Sequence, residues 1–115
     1  MKVAVVGGRT FDDYKRLERT LDSILAGAGF DTIVSGGAIG ADSLGARYAD
    51  ERGLKKIIHL PDWDLHGKAA GFIRNELIIT DADIVVACWN GESRGTNNSI
   101  ALAKQQKKDT LTLYY

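Results

Sequence analysis

The feature that most constrains this chain is a repeated switch of hydrophobic period. Short β-branched runs alternate with longer segments that carry apolar residues at three- and four-residue steps. Val3 to Val6 is the first such run and ends at Gly7-Gly8. Thr32 to Ser35 stops at Gly36-Gly37, Lys56 to Leu60 is halted by Pro61, Ile84 to Trp89 runs into Asn90-Gly91, and Leu111 to Tyr114 is the last. Continuous apolar runs of this length suit strands buried on both faces. Between the first two, Tyr14, Leu17, Leu21, Ile24 and Leu25 mark one apolar helix face, with Asp12 or Asp13 as its cap and Gly27 and Gly29 at its end. Ala41 to Arg52, closed by Gly53, then Lys68 to Thr80 and Thr96 to Lys107 read as further helices.

Strict β-α alternation predicts an α/β, Rossmann-like three-layer sandwich, a mainly parallel five-stranded sheet with helices on both faces. Residues 1–115 read as one domain. Right-handed crossovers put the carboxyl ends of all strands on one edge, where ligands bind in open sheets of this type. The irregular piece Pro61 to Gly67, with Trp63 and His66, lies on that edge and is expected to form a side wall or lid.

Composition narrows the function classes. Lys plus Arg and Asp plus Glu number 15 each. Zero net charge argues against a broad duplex-binding surface, while leaving room for a local cationic pocket. No apolar stretch approaches the roughly 20 residues of a membrane helix, so no membrane partner is expected. The first apolar run is too short for a signal segment, and the lone Cys88 suits a reducing compartment, so a cytoplasmic location is expected. Cys88 lies within an apolar strand and reads as a small core residue. His59 reads as a core or edge histidine and His66 as an exposed one. Neither stands with Cys88 at zinc-like spacing, and no metal or cofactor is expected.

Seven of the 13 glycines fall in three strand-to-helix turns on the expected ligand edge. They read Gly7-Gly8-Arg9-Thr10-Phe11, then Ser35-Gly36-Gly37-Ala38-Ile39-Gly40-Ala41-Asp42, then Asn90-Gly91-Glu92-Ser93-Arg94-Gly95-Thr96. Glycine lets a ligand touch the backbone, and each turn feeds a helix start whose amides and dipole favour an anion. Ser35 and Thr96 add hydroxyl donors, and Arg9, Lys68, Arg74 and Arg94 add charge. Asp42 suits either a ribose contact or a first-turn acid against the helix dipole. Trp63 suits either a stacked base or a core cap. The phosphate-binding lysine motif and the complete dinucleotide fingerprint are both missing, which argues against nicotinamide redox chemistry.

On these turns the chain resembles the YspA-like branch of the SLOG superfamily, the Rossmann-like group that includes the Lonely guy phosphoribohydrolases and the DNA-processing protein DprA. The likeness also runs through Asp62-Trp63, Gly67-Lys68-Ala69-Ala70-Gly71-x-x-Arg74-Asn75, Ala82-Asp83 and Ser93-Arg94-Gly95-Thr96. It implies a nucleotide-derived ligand at the Ser35-Gly36-Gly37 and Gly95-Thr96 turns, with Arg74 beside the phosphate. The phosphoribohydrolases carry a glutamate three residues after the threonine of their Gly-Thr motif, where this chain has Ser99. A serine cannot act as a base near neutral pH. Glu76 and Asp42 are then the remaining candidates for chemistry.

The expected function is binding of a phosphate-bearing nucleotide derivative, an ADP-ribose-like or cyclic nucleotide signal, as a sensor or sequestering protein. The alternative is a nucleoside monophosphate phosphoribohydrolase or related nucleotide hydrolase. A single-stranded nucleic-acid binder ranks last, because net charge is zero and aromatics are few. A shallow edge site of this kind is often completed across a symmetric dimer, so a homo-oligomer is expected.

Overall fold

The computed structural model describes residues 1–115. Five strands form one sheet, β1 (Lys2–Gly7), β2 (Thr32–Ser35), β3 (Lys55–Ile58), β4 (Ile84–Trp89) and β5 (Asp109–Tyr114). Their spatial order is β3-β2-β1-β4-β5, and every pair is parallel. The helices are α1 (Tyr14–Ala28), α2 (Ala41–Arg52), α3 (Trp63–His66), α4 (Ala70–Asp81) and α5 (Arg94–Gln105), with a 3-10 turn at Gly67–Ala69. This is the Rossmann-like α/β architecture that the alternating pattern predicts.

The period-2 alternation of β1 divides the core between the two faces. Val3 and Val5 join Leu17 and Leu21 of α1 and Tyr48 and Ala49 of α2. Ala4 and Val6 point the other way, against Ile78 and Ile79 of α4 and Ile100 and Ala103 of α5. The central strands β1, β2 and β4 are buried along their interiors, whereas β3 and β5 are edge strands with exposed positions. The chain winds outward from β1 through β2 to β3, then crosses back to β4 and β5. The switch point therefore lies between β1 and β4, where Gly7 pairs with Cys88.

Several boundaries differ from the sequence expectation. The segment expected as a loop before the third helix holds α3, because the Asp62 carboxylate accepts the Leu65 N–H at 3.0 Å and caps it. Gly67, at φ 57°, then breaks the run, so α4 starts at Ala70 rather than Lys68. Helix α5 ends two residues early at Gln105, because Lys107 takes a left-handed conformation (φ 58°) and Lys108 N–H reaches back to the Ala103 carbonyl at 2.9 Å. A left-handed lysine carries no glycine signal. Strand β3 stops at Ile58 because its partner β2 offers four residues to pair with.

The first two glycine turns are locked to each other. The Gly8 carbonyl accepts N–H groups from Phe11 at 3.3 Å and Ala41 at 3.2 Å. Gly40, at φ 84°, lies so close that a Cβ there would collide with the Gly8 carbonyl and sit 2.6 Å from the Arg9 Cα. Gly40→Ala combines a strained backbone with a backbone clash, and we expect a loss of about 2 kcal/mol or more in urea unfolding. An unchanged midpoint would contradict this packing.

Candidate functional site

A cleft of about 390 Å³ opens over the switch point. Its floor is the carboxyl end of β1, at Val6, Gly7 and Gly8, with Arg9 and Thr10 of the following turn. One wall is α4, through Arg74, Asn75 and Ile78, and the other is the start of α5, through Gly95, Thr96 and Ser99. The strands of a parallel sheet deliver these turns to one edge, so residues distant in sequence converge there.

The third turn is built by local capping. Asn90 Oδ1 accepts the N–H groups of Glu92 and Ser93, both at 2.9 Å, which folds the loop back. Ser93 then caps α5, its Oγ accepting the Thr96 N–H at 3.4 Å. Trp89 Nε1 donates to the Ser93 carbonyl at 3.1 Å and pins the loop to β4. Asn75 Nδ2 donates to the Gly95 carbonyl and to Asn98 Oδ1, each at 3.3 Å, which ties α4 to α5 across the cleft. The amide of Gly95, in the first turn of α5, has no acceptor within the helix.

The second turn behaves differently. Asp42 Oδ2 accepts the Ala38 N–H at 3.3 Å, so the protein's own carboxylate occupies the place an anion would take. Arg74 Nη1 donates to the Gly36 carbonyl at 2.7 Å and its Nε donates to Asn75 Oδ1 at 3.1 Å. A Cβ at Gly36 would lie 2.6 Å from Arg74 Nη1 and 2.7 Å from Asp42 Oδ2, so a side chain here would push the guanidinium and carboxylate tips from their places. Ser35 is fully buried, its Oγ donating to the Asp42 carbonyl at 3.1 Å.

The structure thus brings together Gly7, Gly8, Arg9, Thr10, Asp42, Arg74, Asn75, Gly95 and Thr96 around the cleft. Ser35, Gly36, Gly37, Gly40 and Ala41 do not line it; Ser35, Gly36 and Ala41 are buried, and Gly37 is exposed. Trp63 and Lys68 line a smaller adjoining cavity, and Arg94 is exposed outside both. Glu76 is exposed and lines neither cavity. Asn90 and Ser93, read from the sequence only as part of the third turn, also line the cleft, as does Tyr115, which sequence reasoning missed. Ser93 stands three residues before Thr96 and so carried a capping signal. Tyr115 carried none. It arrives because β5 pairs with β4, and its hydroxyl shares a 2.8 Å hydrogen bond with Thr10 Oγ1. Burial pushes the Cys88 thiol up to about 12, which leaves it unreactive. No three His, Cys, Asp or Glu side chains converge where they could hold a metal ion. No helix is long and apolar enough to cross a membrane.

Asp42 is 6% exposed, and burial pushes its carboxyl up to about 6 against the pull of the Ala38 N–H and of Arg74. Below pH about 4 both the folded and unfolded chains hold its proton. Between there and pH about 6 only the folded chain keeps it, so this group's contribution to stability falls as pH rises and is flat above. Asp42→Asn keeps an acceptor for Ala38 without a charge. The variant should gain about 2–3 kcal/mol on the native protein between pH 4 and 7 in chemical denaturation. Parallel pH profiles for the two proteins would contradict the assignment.

Comparison with known proteins bears on what the cleft holds. Residues 1–66 match the family described as YspA, cpYpsA-related SLOG family. Gene 61 protein of Mycobacterium phage D29 is 31% identical over 111 residues, covering 90% of this chain and 89% of that protein. Among solved structures, DNA processing protein A from Streptococcus pneumoniae superposes with a TM-score of 0.76 at 22% identity, over 96% of this chain and 49% of its own. DNA processing protein A from Helicobacter pylori, a structure reported for its single-stranded DNA binding mode, gives a TM-score of 0.76 at 26% identity. That match covers 100% of this chain and 66% of the other, so this chain spans about half to two thirds of the solved proteins.

These likenesses overturn the expectation of a nucleotide-derived small molecule as partner, whether sensed or sequestered, and the placing of nucleic acid last. The hydrolase alternative gains no support either, since Ser99 faces the cleft where a glutamate is needed. The expectation failed because net charge averages over the surface. Acids on the α1–α2 side are engaged in ion pairs, Arg52 with Glu18 and Asp22, and Arg47 with Glu51, while Arg9 and Arg74 stand at the cleft. Fold, glycine turns and relatives agree, and the chain belongs to the YspA, cpYpsA-related SLOG family.

Proposed function

We propose that this chain binds single-stranded DNA, with the phosphodiester backbone held in the cleft over the β1–β4 switch point. The observation that carries the proposal is the likeness to the Helicobacter pylori protein, which extends over 100% of this chain. The cleft supplies what a phosphate chain requires. The α5 start presents the Gly95 amide and the positive end of a helix dipole. Arg9 adds a side chain free to reach a phosphate, and Thr10 adds a hydroxyl. Arg74 is held by the Gly36 carbonyl and contributes a fixed charge. Because this chain spans 66% of that relative, the proposal concerns binding alone.

Phosphate contacts release counterions, so affinity should fall with salt at a slope set by the number of phosphates neutralised. The test is fluorescence anisotropy with a labelled oligothymidylate across a salt series. Arg9→Gln should weaken binding several-fold and reduce the slope by about 0.7, the value for one lost contact on a single strand. Lys55→Gln, at the opposite edge of the sheet, should leave both unchanged. No binding at low salt, or equal effects of the two substitutions, would refute the proposal.

A further inference from the structure

Beside the cleft lies a second cavity of about 220 Å³, lined by Trp63, Lys68, Gly71 and Phe72. Arg74, Asn75 and Gly95 line both cavities, so the two share a wall and open side by side. Trp63 is 57% exposed and Phe72 50% exposed, so neither ring serves mainly as core. Both nevertheless sit on ordered backbone. Trp63 opens α3, fixed by the Asp62 cap, and its indole lies over Gly71, where a Cβ would meet Cη2 at 3.7 Å. Phe72 follows on the first turn of α4. Lys68 adds a cation at the rim.

We propose that this cavity is a base-stacking subsite, taking an unpaired nucleobase whose own phosphate lies in the neighbouring cleft. The inference rests on the single-stranded DNA reading above and specifies how that strand is held. Two exposed aromatic faces next to a cationic groove match the general scheme of single-strand binding, in which rings hold bases and cations track the backbone. The shared wall fixes the occupant. A strand seated between Arg9 and Gly95 must pass Arg74, and a base turned outward there meets Trp63 and Phe72. Every base has a π-face, so the subsite sets a preference for unpaired bases without demanding a sequence.

The test compares an oligothymidylate with an abasic oligomer of equal length and equal phosphate count, by anisotropy at one salt concentration. The native chain should bind the thymidylate about tenfold more tightly. Trp63→Ala should remove most of that difference while leaving abasic binding unchanged, and Trp63→Phe, which keeps a ring, should restore much of it. Equal binding of the two oligomers by the native chain would overturn the subsite and leave the backbone reading standing. So would a Trp63→Ala variant that weakens both oligomers alike. Failure to bind either oligomer would overturn both readings.

Discussion

The site depends on the backbone of one residue, Gly8. Gly8 donates its N–H to the Cys88 carbonyl at 3.0 Å and receives the amides of Phe11 and Ala41 at its own carbonyl. It therefore joins β1, β4, the first turn and the start of α2. Gly40 allows this by bringing α2 against the first turn with no side chain between them. The distance across the cleft follows, because the β1–β4 ladder fixes where β4 ends and Asn90 and Ser93 fix where α5 begins.

Within that frame the electrostatics are arranged by position rather than by total charge. Asp42 fills the anion place at the second turn and holds Ala38, at the expense of burying a carboxylate. The first and third turns have no such internal anion and remain open to an external one. Arg74 lies between, bonded to Gly36 and Asn75, so its charge stays at the wall of the cleft in a fixed orientation. A buried carboxylate beside a preset guanidinium is poor design for stability and good design for a site that discriminates by charge and geometry.

Much of the fold was legible in the sequence because local pattern and global packing agree along the central strands. Val3 to Val6 and Val85 to Cys88 are buried as their composition implies. The glycine turns also fell where expected, since their positions follow from strand ends. What was illegible has a common cause in tertiary pairing. Tyr115 enters the cleft through the β4–β5 ladder, which no local pattern announces. The second turn looked like a phosphate cradle until Asp42 was seen folded onto Ala38. The partner was misjudged because a sum over 115 residues hides where the charges stand.

The measurement that tests the central claim most directly is a backbone amide shift map of the chain titrated with oligothymidylate. The account predicts that the largest shifts fall at Gly8 to Thr10 and at Gly95 and Thr96, with the amino-edge residues Lys2, Lys55 and Lys56 unmoved. Shifts concentrated at that opposite edge, or none at saturating oligonucleotide, would contradict the assignment of the switch-point cleft as the place where the strand binds.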